Sequence, residues 1–272
     1  MSLIYIFTFS KVETEQVARL MGAAVNGKPP RRVGPSRVGT NDLILFASDM
    51  GPKIARSLAN SVLKDGAQAQ GQESGNPKPD AILVIGLCGG LTPDLSQNTV
   101  VAYTECCSTD EARPPYRCSL PLTERISSLV RSKGIPCVPV IGITSPRIAT
   151  TKEIRLDLAR SGVQAVDMES YEILAAAHET GVPVAVLRVV ADHMDMRLPD
   201  LNRALNEAGS LDQRKALRVA IGSPILTARL VSANKRAMRH LGKALDIVLP
   251  SDCFADAPIG EGEVSSNTAP RG

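Results

Sequence analysis

Two carboxylates stand where an α/β protein could do acid–base chemistry. Glu169 opens a helical stretch in Ala165-Val166-Asp167-Met168-Glu169-Ser170, and Asp192 ends the apolar run Leu187-Arg188-Val189-Val190-Ala191-Asp192. They lie 23 residues apart, the length of one helix and one strand. In an open α/β sheet, ligands bind beyond the carboxyl ends of the strands. A carboxylate at position 192 is therefore either a solvated loop charge or a working acid or base. Asp167 and Glu169 taken alone would also suit a helix N terminus, where acids complement the dipole. Arg188 lies inside an apolar strand and needs a partner, because a buried guanidinium without one is costly. Glu169 and Asp192 are the candidates. Arg188 then serves either the substrate pocket or as a structural counter-ion.

Further groups cluster near other strand ends. Gly86-Leu87-Cys88-Gly89-Gly90-Leu91 follows a buried apolar run, and its glycines let backbone turn sharply or approach a ligand closely. Its spacing does not fit the GxGxxG dinucleotide motif, and no helix start follows. Glu13 and Glu15 open the first helix, where an acid also complements the dipole. His193 reads as a loop histidine, and His178 and His240 sit in helices without a partner at useful spacing. No GxSxG, HExxH or GxxxxGK[ST] occurs, so serine hydrolase, zincin and P-loop chemistries have no motif support.

The elements that must carry these residues alternate. Strands read at 3–9, 42–48, 81–87, 100–103, 137–143 and 184–190, and helices at 12–21, 53–63, 122–132, 151–161 and 167–180. A polar loop fills 66–79. From 201 to 249 the chain reads as helical, broken near Gly209-Ser210 and Gly222-Ser223-Pro224. Continuous apolar strands between helices predict an α/β fold. The expectation is one domain over 1–250, a mostly parallel twisted central sheet flanked by helices, with a helical C-terminal extension. A polar tail over 251–272 reads as disordered.

Composition narrows the function classes. A net charge of +3 over 272 residues is too small to argue for nucleic acid, and 3% aromatic content without tryptophan offers no base-stacking platform. Six cysteines show no CxxC pair, so no metal site is expected, and Cys88 and Cys137 read as small core residues. No apolar run reaches the roughly 18 residues a membrane span needs. The first residues lack a signal-peptide pattern, which makes a cytoplasmic protein the expectation.

Four segments, in order, resemble the nucleoside phosphorylase/nucleosidase superfamily. They are Ser48-Asp49-Met50-Gly51-Pro52, Ile85-Gly86-Leu87-Cys88-Gly89-Gly90-Leu91, Val166-Asp167-Met168-Glu169-Ser170 and Leu187-Arg188-Val189-Val190-Ala191-Asp192. The resemblance covers most of residues 1–192. It implies cleavage of the N-glycosidic bond of a purine nucleoside. Asp192 would be the acid that helps the purine leave through N7, and Glu169 would accept hydrogen bonds from the ribose hydroxyls. Met168 would pack under the sugar. Leu87, Cys88 and Gly89 would form the Gly-rich wall, and Pro146, Arg147 and Ile148 fall where the family holds the base. The nucleophile is water or phosphate. Nucleosidases position water with an early glutamate, here Glu13 or Glu15, with Glu13 preferred. Phosphorylases use a basic residue and a hydroxyl, whereas this chain has Leu87 at the turn and only Lys11 near the first strand end. Hydrolysis is therefore placed ahead of phosphorolysis.

The resemblance also implies a homo-oligomer and no cofactor. Residues 86–90, 166–170 and the Leu198-Pro199 region are most similar to the hopanoid-associated branch, which implies adenosylhopane as substrate. A lipid-bearing substrate would bring the enzyme to membranes, with Lys215, Arg218, Arg229, Lys235, Arg236 and Arg239 as a basic face, or simply as a solvated one. A non-catalytic nucleoside-binding protein is the rival reading.

Overall fold

The computed structural model describes residues 1–64 and 76–255. Its centre is strand β1 (Ser2–Thr8), which runs parallel to β3 (Asn41–Ala47) on one side and to β4 (Ala81–Gly90) on the other. Side chains along β1 alternate between faces, as strand geometry requires. Ile4 and Ile6 enter one apolar layer with Val17, Ile126 and Leu241. Tyr5 and Phe7 enter the opposite layer with Leu58 and Leu174. The first layer is built by α1 (Lys11–Leu20), α3 (Leu120–Ser132) and α7 (Pro224–Val248), the second by α2 (Pro52–Leu63) and α5 (Ser170–His178). This is one α/β/α domain. Each fully buried Leu or Ile contributes roughly 1.5–3 kcal/mol to holding the layers together.

Beyond β4 the sheet closes on itself. Strand β9 (Val184–Asp192) pairs parallel with β4 and antiparallel with β5 (Val100–Ser108). β5 continues in parallel to β7 (Cys137–Thr144), β7 to β8 (Ala165–Asp167), and β8 returns antiparallel to the end of β4. A ring β4-β8-β7-β5-β9 results. Two antiparallel additions, β2 (Arg31–Val38) on β3 and β6 (Tyr116–Arg117) on β5, flank the path. Among the described residues, parallel pairings outnumber antiparallel ones by five to four.

Several boundaries differ from the sequence reading. β2 was not foreseen: Gly34 and Pro35 interrupt its pattern, and it is an edge strand with mostly half-exposed side chains. The helix expected from 167 begins at Ser170, because Ala165–Asp167 is claimed by β8 and Glu169 is the N-cap. The helical segment expected from 201 to the break near Gly209-Ser210 is instead a single 3-10 turn (Leu201–Ala204) and a bridge between Leu205 and Leu211, after which α6 (Gln213–Gly222) begins. Asp212 caps α6 by accepting from the N–H groups of Arg214 and Lys215. α6 and α7 meet at Ser223 with a bend of 117°. No single described helix is long and apolar enough to cross a membrane. The tail from Ser251 starts out packed, since Phe254 is fully buried in the first layer. The rest of that tail and most of the 66–79 loop lie outside the described residues.

Candidate active site

The carboxyl ends of β1, β4, β8 and β9 open into one cavity of about 260 Å³. Glu13 reaches it from the first turn of α1, where Ser10 caps the helix by accepting from the Glu13 N–H. The Glu13 side chain is turned inward and buried. Its Oε2 accepts from the Phe9 N–H at 3.1 Å and its Oε1 from the Leu87 N–H at 2.9 Å. Two strand-end amides from β1 and β4 thus hold one carboxylate. Gly86 makes that approach feasible: a Cβ there would lie 2.4 Å from Glu13 Oε1 and 2.9 Å from Arg188 Nη1.

Arg188 sits mid-strand in β9 and is 1% exposed. Its Nη1 donates to the Leu87 carbonyl at 3.0 Å, and its Nε and Nη2 donate to Ser170 Oγ at 3.1 and 2.9 Å. Its ion pairs are with Asp167 at 3.2 Å and Glu169 at 3.4 Å. Asp192, the other candidate partner, is not among them. Asp167 is the organiser of this corner. Its Oδ1 accepts from Thr144 Oγ1 and from the N–H groups of Glu169 and Ser170, so it ties the start of α5 to β7. Glu169 then points one oxygen at the Gly51 N–H, 3.2 Å away at the start of α2. Burial pushes the Glu169 carboxyl up to about 7, opposed by the Arg188 guanidinium and reinforced by the charges of Asp167 and Glu13.

Asp192 lies across the cavity at the end of β9. Its Oδ2 is 2.5 Å from Nη2 of Arg155, a residue of α4 (Lys152–Ala159) with no exposed surface. Burial raises the Asp192 carboxyl above its ordinary range, and Arg155 pulls it back. Gly89 of β4 leaves room for the carboxylate, since a Cβ there would lie 2.9 Å from Asp192 Oδ2.

Of the residues singled out from sequence, Glu13, Leu87, Cys88, Gly89, Arg147, Ile148, Met168, Glu169, Arg188 and Asp192 all line this cavity. Glu15 does not: it is exposed and pairs with Lys11 at 3.6 Å, one helical turn away. Pro146 is exposed and outside the lining. The backbone of Ile148, expected to face the base, is engaged by Asn202, whose side-chain amide accepts from its N–H and donates to its carbonyl, both at 2.9 Å. His193 is not in the lining; its Nδ1 accepts from the Asp195 N–H at 3.3 Å. His240 is on the surface and His178 lies against Tyr116. Apolar side chains complete the lining: Phe9, Val12, Met50, Leu198, Leu201 and, from α7, Leu230.

A model of the phosphorylase superfamily matches residues 4–221. The chain belongs to the phosphorylase superfamily. Among solved structures, this superfamily member is similar to 5′-methylthioadenosine/S-adenosylhomocysteine nucleosidase from Neisseria meningitidis in complex with methylthio-immucillin-A. The identity is 16%, covering 92% of this chain and 99% of that one, with a TM-score of 0.68. It is also similar to the Helicobacter pylori enzyme of the same name, bound to butyl-thio-DADMe-Immucillin-A (17%, 90% and 98%, TM-score 0.63). Futalosine hydrolase of Helicobacter pylori matches at 17%, over 90% and 97%, with a TM-score of 0.64. Identities of this order speak to fold. No curated protein matches.

Sequence reasoning passed over Arg155, Asp167 as organiser, Asn202 and the Gly51 N–H. Arg155 lies between Ile154 and Leu156 in a short helix and carries no motif. Asp167, which by type suits a helix start, ends β8 instead and reaches the start of α5 only through its side chain; its pairing with Arg188 depends on β8 and β9 both flanking β4.

Proposed function

We propose that this protein cleaves the N-glycosidic bond of a purine nucleoside, with adenine as the leaving base and water as the nucleophile. Breaking that bond builds positive charge on the sugar and negative charge on the departing purine. The cavity carries carboxylates suited to both. At the sugar end, Glu169 accepts hydrogen bonds from the ribose hydroxyls, with Met168 beneath the ring. Glu13 and Glu169 together favour an oxocarbenium-like sugar, as glycosidase carboxylates do. As a water oxygen bonds C1′, Glu13 takes the water's proton. The C1′–N9 pair departs with the purine, and Asp192 gives a proton to N7. The two carboxyl groups then exchange that proton through solvent, which restores both.

The observation that carries water over phosphate is the seat of Glu13. The Phe9 and Leu87 amides form the strand-end nest where an anion would be received, and the Glu13 carboxylate already fills it. A phosphate there would meet that negative charge, and no hydroxyl side chain stands at Leu87 to hold it. The test is adenine release from adenosine, methylthioadenosine and adenosylhopane, each with and without phosphate. Release in phosphate-free buffer supports hydrolysis. Release that requires phosphate makes the enzyme a phosphorylase. No release with any of them favours a nucleoside-binding protein.

Adenosylhopane is the substrate we favour, because apolar residues make up much of the cavity lining, including Leu230 of α7. A peripheral membrane contact goes with it. On α6 and α7, Leu217, Ile221, Ile225 and Val231 expose between 48% and 71% of their surface. Residues 213–245 carry eight Lys or Arg and no Asp or Glu. Apolar exposure on a basic helical face suits an anionic bilayer surface. Co-sedimentation with vesicles containing phosphatidylglycerol should carry the protein down, and Ile221→Asp with Ile225→Asp should abolish it. Equal recovery in the supernatant with and without vesicles removes the membrane reading. A cytoplasmic homo-oligomer is the assembly we expect, which sedimentation velocity would measure.

A further inference from the structure

We propose that Arg155 is the positioning residue of the leaving-group site, locking Asp192 and the base-side loop into one rigid unit through a single guanidinium. The inference rests on the assignment of Asp192 as the acid. Its basis is the geometry of one buried side chain. Arg155 is the one fully buried residue of α4, whose Leu158 and Ala159 are only partly covered by a small apolar cluster. Thr151 caps that helix and so fixes the turn from which Arg155 departs. Its Nε donates to the Ala149 carbonyl at 2.9 Å. Its Nη1 donates to the carbonyls of Asp192 and His193, at 3.3 and 2.5 Å. Its Nη2 faces the Asp192 carboxylate.

Three elements therefore meet on one planar fork: the loop after β7, helix α4 and the end of β9. Only Arg has the donor count and rigidity to grip backbone carbonyls and a carboxylate together. An ammonium would keep the charge and lose the fork.

The pairing has a chemical consequence. A guanidinium beside Asp192 stabilises the carboxylate that remains after a proton has gone to the purine. Asp192 becomes a stronger acid, and it loses its proton at lower pH than burial alone would set. The charged or titratable groups that face it are few. Arg155 comes from α4, His193 is next in the chain, and Cys88 comes from β4. Burial holds the Cys88 thiol far above its usual range, so it stays neutral. Arg155, ahead of His193, is thus the main cation that opposes burial at Asp192.

The experiment compares wild type, Arg155→Gln, Arg155→Lys and Asp192→Asn by adenine release from adenosine and methylthioadenosine across pH, with adenine binding measured by calorimetry over the same range. In Arg155→Gln the alkaline limb of kcat/KM moves up by about 1–3 pH units, the usual effect of removing an opposite charge. The pH above which adenine binding weakens moves with it. On the low-pH plateau, kcat falls roughly tenfold to a hundredfold, part of what a positioned acid contributes. Arg155→Lys leaves the limb in place and recovers part of kcat. In an Asp192→Asn background, Arg155→Gln costs almost nothing further. A limb that does not move, or an equal loss in both backgrounds, overturns the proposal and leaves Arg155 a fold residue. If Arg155→Gln does not fold, Arg155→Lys decides: a lowered kcat with an unmoved limb supports the role, and an unchanged kcat overturns it. An Asp192→Asn enzyme as fast as wild type retires the acid assignment itself, which is a separate failure.

Discussion

The two ends of the cavity treat their carboxylates in opposite ways. At the base end, one carboxylate meets one guanidinium: Asp192 with Arg155. At the sugar end, Glu13, Asp167 and Glu169 gather around Arg188 alone. The base end is balanced and gripped by backbone carbonyls. The sugar end carries more negative than positive charge, in a place where burial makes that expensive. Excess carboxylate in a dry pocket is tolerated when a positively charged species is to be received there. A developing sugar cation is such a species. On the proposed reading, the contrast separates a station that hands over a proton from one that attracts charge.

Removing the acid tests the base end most severely. Asp192→Asn should lower kcat by about 10²–10⁴, the usual range for a positioned proton donor, with KM changed little. Steady-state adenine release measures it, and a kcat within twofold of wild type would break the contrast. Glu13→Gln should cost on the order of 10²-fold in phosphate-free buffer, since the amide cannot take the water's proton. Glu15→Gln, on the exposed side of the same helix turn, should leave the rate unchanged. Equal losses in the two variants would mean that the inward seat of Glu13 is irrelevant.

The next effect concerns pH. Glu169 has a folded-state value near 7, raised from 4.5 by burial first. A carboxyl raised in the fold favours folding most below its unfolded value, and that contribution is lost as pH climbs from 4.5 through about 7. Glu169→Gln should therefore raise the melting temperature at pH 8 by roughly 2–4 °C and change it little at pH 4, as calorimetry would show. An equal shift at both pH values would deny that Glu169 is charge-burdened. Ribose binding needs the ionised form, so KM for the nucleoside should fall as pH rises through neutrality. An unchanged KM would remove Glu169 from the sugar contact.

Much of this was legible in the residue order. Continuous apolar runs announced β1, β3, β4 and β9, because strands buried on both faces have no polar side to show. Gly89 and Asp192 announced themselves by type and position at strand ends. Other features had no such trace. β8 is three residues long, too short for any periodicity, yet it sets Glu169 beside Gly51 and Asp167 beside Arg188. The choice between Glu13 and Glu15 turned on a helical rotation of two residues, which the fold resolves by burying one and exposing the other. The stretch after 201 misled because its composition suits helix, while tertiary contacts instead hold a turn and a bridge over the base-side loop.

By itself, the sequence determined the α/β class, the placement of Glu169 and Asp192 at element ends and the absence of a hydroxyl at Leu87, since these depend on residue type and local pattern. Only the tertiary structure decided which cation serves which carboxylate. Arg188 is four residues from Asp192 and pairs with Asp167 and Glu169, while Arg155, 37 residues away, is the partner of Asp192. The physical reason is that four strand residues span roughly 13 Å, so two side chains that far apart along β9 do not meet, while side chains from neighbouring elements come together. Closure of the ring, through pairings distant in sequence, brings those partners within reach.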